Sequence, residues 1–384
     1  MSNVASRNTW QVSEYDKPIV TATYFGFTPM TAPRVTPRDV EAVKHCVSHP
    51  HYDAVEKAAL IRTYIEQEFA NLPHPLSLIY RKKKSHGYSL HYIGSSSGVA
   101  EATLIRTALS ILSEEGFKQM RVELNCLGDK ESMSAHEREL GNYIKKCGAN
   151  LSEDLRTALK QDVFELYRRE DEEAMQFRAS APSAISFLSS QSRQHFKEVL
   201  EFVEALGVEF TLAPELVGER NHSSHTVFAI RNVGPDRETD PHAPDVLATG
   251  YRYSRLGKRL GLKKEIPMAS VSIFHSKTDP ERKIYKELPK PKFYLVQLGR
   301  EAKIRTLSLL EDLRAHRIPV HHFLGKDKLT AQLQGAEELR VSYLIIIGQK
   351  EALDRTATVR NMSTRAQDTI PMSELAEYLK HVSL

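Results

Sequence analysis

The stretch SLIYRKKKSHGYSLHYIG, residues 77–94, decides how this chain is read. Two apolar and aromatic runs, Leu78-Ile79-Tyr80 and the six residues from Tyr88 to Ile93, flank a polar turn of Arg81, Lys82, Lys83, Lys84, Ser85, His86 and Gly87. Strand-forming runs on either side of a glycine-bearing turn predict a β-hairpin, with Gly87 able to take the positive φ of a tight return. Its tip carries four consecutive cations, which suit an anionic partner such as a nucleotide phosphate or an RNA backbone. An isolated lysine run is more commonly a solvated surface turn. The hairpin alone leaves both open.

At 384 residues the chain is long enough for two or three domains with separate cores. Its 41% hydrophobic and 27% charged residues are those of an ordinary soluble protein, and a net charge of +4 permits nucleic-acid binding without demanding it. No apolar run approaches the roughly 18 residues that span a bilayer, so no membrane partner is expected. The first 18 residues lack the apolar core of a secretory signal. Cys46, Cys126 and Cys147 share no metal-like spacing and fit a reduced, cytoplasmic setting.

Working outward, the pattern over 37–70 predicts a helix, clearest in AVEKAALIRTYIEQEF, that stops at Pro73-His74-Pro75. A helix over about 100–115 ends at Gly116, and residues 120–126 alternate like a strand. From 132 to 206 the pattern is helical, with a capping signal at Ser152-Glu153-Asp154. Strands are expected at 208–212, 226–230 and 269–274. The charged, proline-closed piece at 276–291 reads as a linker. Beyond it, strands alternate with helices to the end, which predicts a small α/β domain with a buried parallel sheet. Residues 292–384 hold 14 Lys/Arg against 11 Asp/Glu, a net +3. No nucleotide-loop or zinc signature occurs. His45, His49 and His51 offer metal-ligand chemistry, but lone surface histidines are commoner, and no metal site is assigned. His222 and His225 read equally as pocket residues or loop tips.

This order of elements resembles the histidyl-tRNA synthetases, class II aminoacyl-tRNA synthetases, over essentially the whole chain. YFGFTP at 24–29 with Thr31-Ala32-Pro33 is similar to the family's first motif, and the hairpin to its second. ELNCLG at 123–128, Leu216-Val217 with Thr226-Val227-Phe228, and Gly250-Tyr251-Arg252-Tyr253 resemble the "NSLG", histidine-specific and "GGRYD" segments. Lys328 to Gln332, Leu344 to Gly348, and Glu374-Leu375 resemble the anticodon-binding domain. The resemblance implies an α+β class II fold, an antiparallel sheet flanked by helices, at 1–275 with a helical insert at about 130–206. A linker at 276–291 and an α/β anticodon-binding-type domain at 292–384 follow. It also implies a homodimer and a tRNA or other RNA partner.

The residues that carry the family's chemistry differ. Adenylate formation needs cations where charge develops on the α-phosphate. The family's "FRxE" reads Ser77-Leu78-Ile79-Tyr80 here, with Leu78 for the arginine and Tyr80 for the glutamate. "RGLDYY" becomes Gly218-Glu219-Arg220-Asn221-His222-Ser223, and Lys277 stands where an ATP-stacking arginine is expected, keeping charge but losing the planar fork. The remaining catalytic candidates are Arg81, Arg220 and Lys277, with Arg81 and Lys277 as ATP contacts. Tyr92, His222, Tyr251 and Arg252 are candidates for an amino-acid pocket. Lys82, Lys83, Lys84, Lys326 and Lys328, with Arg300, Lys303 and Arg305, are candidates for RNA contact. Two functions are consistent with this pattern. One is a non-catalytic tRNA- or RNA-binding or regulatory paralogue. The other is a divergent histidine–tRNA ligase, for which ATP and Mg²⁺ would be the cofactors.

Overall fold

The computed structural model describes residues 14–44, 53–83, 87–218, 223–234, 245–274, 284–288, 291–325 and 328–382, Ala149 in its backbone only. The expectations placed on His45, Cys46, His49, His51, Lys84, Arg220, His222, Lys277 and Lys326 lie outside them.

The hairpin forms as expected, from β2 (Leu76–Arg81) and β3 (Tyr88–Ile93), after α1 (Lys17–Tyr24), β1 (Thr28–Pro29), α2 (Pro37–Ala42) and α3 (Ala54–Glu66). Lys82 N–H donates to the Gly87 carbonyl at 3.0 Å and closes it. Gly87 serves a different need from the one expected. Its φ is not positive, but a Cβ there would meet the Ile273 carbonyl oxygen at 1.9 Å. The neighbouring strand can approach only because that atom is missing.

There follow α4 (Val99–Glu114), β4 (Met120–Cys126), and an insert of α5 (Lys130–Cys147), α6 (Glu153–Gln161), α7 (Glu165–Arg168) and α8 (Glu172–Arg178). After it come α9 (Ser190–Ala205), β5 (Phe210–Leu212), β6 (Ser224–Asn232), β7 (Val246–Arg252), α10 (Ser254–Arg259) and β8 (Met268–Ile273). The insert has its own small core around Leu140, Leu155, Leu159 and Leu166. Ser152 caps α6 as expected. Asp129 caps α5: burial opposes its charge, yet bonds from Ser132, Ser189 and Ser192 hold its pKa at about 2.

The eight strands make one mixed sheet in the order β1-β2-β3-β8-β7-β6-β4-β5, antiparallel except for the pairs β1–β2 and β4–β5. Its two faces have separate cores. Behind the sheet, Tyr88, Leu90, Val271 and Leu124 pack on α1, α4 and α9. In front, Leu78, Tyr80 and Tyr251 pack under Ala58, Ile61 and Tyr64 of α3.

The C-terminal part contains β9 (Phe293–Gln297), α11 (Arg300–Ala315), β10 (Val320–His322), α12 (Leu329–Glu338), β11 (Tyr343–Ile347), α13 (Gln349–Asp354), β12 (Thr356–Asn361), β13 (Gln367–Pro371) and α14 (Leu375–Val382). Its sheet runs β10-β9-β11-β12-β13, and only β10, β9 and β11 are parallel. The expectation of a wholly parallel sheet is corrected by β12 and β13, which return as an antiparallel hairpin. β13 reads QDTIP and is almost wholly exposed, so it carries no apolar alternation to reveal it. Helix α11 docks behind the larger sheet: Leu307 and Leu310 join that core, and Glu311 takes Arg106 at 2.7 Å and Ser110 at 2.9 Å.

One buried ion pair ties the back of the sheet together. Arg252, at the end of β7, grips Glu101 of α4 with two bonds of 2.6 Å, and donates to the Ser95 and Ser97 carbonyls at 2.9 Å each. His195 of α9 reaches the same carboxylate at 2.9 Å. Glu101 is fully buried; burial opposes its charge, but Arg252 and His195 hold the carboxyl far below its ordinary range. Arg252→Met leaves that carboxylate buried without its main partner. It is expected to destabilise the protein by ~3–5 kcal/mol in urea unfolding followed by circular dichroism.

Candidate functional site

Register decides which side chains can meet. Direct cross-strand partners share a face, and successive residues alternate. Leu78, His91, Ser270 and Tyr251 form one row across β2, β3, β8 and β7, and Tyr80, Ser89, Ser272 and Thr249 form the next. Both rows look toward α3. Ser77, Tyr92, Ala269 and Arg252 make a row on the opposite face.

The front rows are filled by their own side chains. His91 Nδ1 lies 2.8 Å from the Tyr253 hydroxyl, and its Nε2 is 2.9 Å from Ser89 Oγ and 3.2 Å from the Tyr80 hydroxyl. The Tyr80 and His91 rings stack at 5.4 Å and 15°. Lys57 of α3 reaches in, its Nζ 4.5 Å from the centre of the Tyr251 ring. Tyr80, His91, Lys57, Tyr251 and Tyr253 are each at most 1% exposed. Burial lowers the Lys57 pKa to about 7, Glu56 opposing, and pushes His91 well below its usual range with help from Lys57 and Lys82. At neutral pH this histidine is an uncharged link in a hydrogen-bonded aromatic plug.

Lys82 corrects an expectation. It stands in the basic turn, but its side chain folds inward, pairs with Asp53, comes 3.7 Å from Glu56 and lies 5.2 Å over the Phe274 ring. It is 5% exposed, and burial lowers its pKa. A lysine held this way cannot cover an RNA phosphate. Arg81 and Lys83 beside it are exposed, with Arg81 on the side of β2 away from α3.

The three described amino-acid-pocket candidates are not brought together. Tyr251 belongs to the front plug; Tyr92 and Arg252 lie on the back, Arg252 locked on Glu101. His225 packs edge-on against His195 at 5.3 Å, with its pKa lowered to about 4 chiefly by burial. Sequence reading missed Lys57, His91 and Tyr253 as the centre of this face. The signal was present in the parity of β3, where Ser89, His91 and Ile93 fall opposite the apolar Tyr88, Leu90 and Tyr92.

Of the C-terminal cations, Lys328 is exposed at the start of α12. Lys303 is 7% exposed, Arg300 pairs with Glu201, and Arg305 donates to the Ala352 carbonyl at 3.3 Å. Among the described residues no three His, Cys, Asp or Glu side chains converge as a metal-ligand set, and no helix is long and apolar enough to cross a membrane. The front-row residues do not fit ATP with Mg²⁺: they offer neither a carboxylate for the metal nor an arginine for the phosphates.

Three comparisons bear on this geometry. The anticodon binding domain family matches residues 292–381. The chain is 28% identical over 344 residues to a histidine–tRNA ligase of Geobacillus kaustophilus, covering 84% of this chain and 79% of that protein. A histidine–tRNA ligase of Thermosynechococcus vestitus is 26% identical over 302 residues, covering 77% and 68%. The solved structure of apo S. aureus histidyl-tRNA synthetase superimposes with a TM-score of 0.51 over 94% of this chain and 93% of that one at 21% identity, which shows a shared fold. The chain is thus similar over most of its length to histidine–tRNA ligases, shares the fold of a histidyl-tRNA synthetase, and ends in a match to the anticodon binding domain family.

Proposed function

We propose that this protein is a non-catalytic member of the histidyl-tRNA synthetase family that binds tRNA or a related RNA and does not form an aminoacyl adenylate. Residues 1–275 act as a synthetase-like scaffold, 276–291 as a linker and 292–384 as the RNA-facing unit. The observation that carries the reading is the front-face plug. Leu78 and Tyr80 stand where the resemblance assigns an arginine and a glutamate, and Tyr80 is bonded to His91, and His91 to Tyr253, at less than 2% exposure. Losing one preorganised donor costs roughly 10²–10³ in rate, and several are replaced here. The anticodon binding domain match and the histidine–tRNA ligase relatives support RNA as the partner.

The second reading, a divergent active ligase, is favoured by those same relatives and is separated by one assay. ATP–pyrophosphate exchange on the purified protein is expected to show no stimulation by histidine. Histidine-dependent exchange above background reverses the conclusion.

A plug residue is expected to be structural. Lys57 in the folded protein titrates at about 7, against 10.5 for the group in an open chain. Between those values the unfolded chain binds more protons, so stability rises as pH goes from 7 toward 10, and the cost of burying the charge is fully present below 7. Lys57→Met is expected to remove that rise and to stabilise the protein at pH 7 on the order of 1–3 kcal/mol, net of the lost ring contact. Urea unfolding across the pH range reads both.

RNA binding is expected to weaken steeply with salt. Lys328→Ala is expected to lower tRNA affinity and to reduce the slope of log K against log salt by about one, in filter binding at several salt concentrations.

A further inference from the structure

The helical insert carries a groove of its own. Helices α5 and α6, joined by a turn at 148–151, line a space of about 800 Å³. Glu137, Arg138, Gly141 and Lys145 face it from α5, at the three- and four-residue spacing of one helix stripe. Arg156, Leu159, Lys160 and Val163 face it from α6 in the same way.

The floor is apolar. Leu159 is 3% exposed, and the half-buried Ile144 and Val163 pack on the same small core. Gly141 lies in the interior of the 18-residue helix α5, where glycine is the poorest helix former after proline. No packing contact among the described residues requires it, since a Cβ there would meet nothing within 4 Å. Gly87 admits a neighbouring strand of this chain, whereas Gly141 leaves the groove floor open to a group from outside.

The rims are cationic. Arg138 and Lys145 stand on one side and Arg156 and Lys160 on the other, all four exposed. Among the described residues the Lys145, Arg156 and Lys160 side chains have no ion-pair or hydrogen-bond partner, while Arg138 holds Glu139 at 3.5 Å. Against these four charges the lining sets a single carboxylate, Glu137.

Floor and rims together define one occupant. A nucleic acid would lay phosphates over an apolar floor, and no aromatic ring lines the groove to stack a base. A wholly apolar partner would take the cations out of water without pairing them. An amphipathic helix with carboxylates beside its apolar stripe satisfies both, in the helix-in-groove mode of recognition. Arg138 and Lys145 are about two helical turns apart, so acidic residues at the same spacing on such a helix reach both. We propose that this groove docks an acidic amphipathic helix of a partner protein. A large apolar side chain of that helix sits over Gly141, and its carboxylates pair with Arg138 and Lys145 on one rim and Arg156 and Lys160 on the other. This docking rests on the insert alone and not on RNA binding by residues 292–384.

The test is fluorescence anisotropy on the full-length protein with a labelled amphipathic peptide of about 18 residues, long enough to be helical. Leucines at i, i+3, i+4 and i+7 form its apolar stripe and glutamates flank them; a second peptide carries lysine for every glutamate. One saturable site per chain is expected for the glutamate peptide and none for the lysine peptide. Gly141→Leu favours the helix but fills the floor, and is expected to weaken the glutamate peptide by roughly tenfold or more. Reversing one rim from exposed positions, with Arg156→Glu and Lys160→Glu together, is expected to do the same. If Gly141→Leu fails to fold, the double variant decides. The proposal is overturned if the glutamate peptide shows no saturable binding, if the lysine peptide binds as tightly, or if the folded variants bind like the parent. It is also overturned if tRNA displaces the peptide and itself loses affinity for the double variant, because the rims are then an RNA surface. A change of oligomeric state in the double variant, read by light scattering, overturns it too, because a second copy then covers the groove.

Discussion

A carboxylate with no exposure organises the back of this protein. Glu101 sits in the first turn of α4, where a negative charge suits the helix end, but the surrounding core has no water to solvate it. Its charge is retained only because Arg252 arrives from β7 with two bonds and His195 from α9 with a third. Arg252 in turn spends its remaining donors on the Ser95 and Ser97 carbonyls, the loop that joins the hairpin to α4. On the far side of that loop Glu198 accepts from the Ser97 hydroxyl and the Gly98 amide. Three segments distant in sequence, residues 95–101, residues 195–198 and Arg252, are thus fixed by a network in which removing Arg252 strands a buried charge. Such a network selects one arrangement of strands and helices more than it adds stability.

The same anchor dictates what the front face can hold. With Arg252 committed behind the sheet, strand alternation sends Tyr251 forward and Tyr92 backward. A pocket made from all three was never geometrically open. Much of the fold was legible in residues 77–94 and in the alternation of β4, β6 and β8, because strands buried on at least one face write their parity into the sequence. The return of β12 and β13 was not legible. That hairpin faces solvent, and its exposed strand has no apolar side to report.

The candidate site was less legible, and lysine shows why. Lys57 and Lys82 read as ordinary solvated residues, one on an amphipathic helix and one in a basic turn. Both are buried, each beside an aromatic ring, Lys82 also against Asp53 and Glu56. Nothing in a single sequence distinguishes a lysine that snorkels to water from one that folds under a neighbour. The charge run of the turn survives only in part, at Arg81 and Lys83 among its described residues. The substitutions at Leu78 and Tyr80 were visible as departures from a motif. What replaced the motif was not visible, because it depends on His91 and Tyr253, more than 150 residues apart in the chain.

The aromatic and charged front-face residues hold one another, while the Ser270 and Ser272 hydroxyls of the same rows have no hydrogen-bond partner among the described residues. Tyr80 stacks on His91; His91 bonds Tyr80, Ser89 and Tyr253; Tyr251 receives the Lys57 ammonium; Lys57 helps keep His91 neutral. In such a set each side chain is the environment of the next, so replacements are coupled and do not add. A glutamate at position 80 would set a carboxylate into an aromatic cluster, next to an uncharged imidazole and near the Glu56 carboxylate. Desolvation would be uncompensated, and the group would take up a proton instead of binding a substrate cation. The bonds that converge on His91 show that this front face is held by its own side chains.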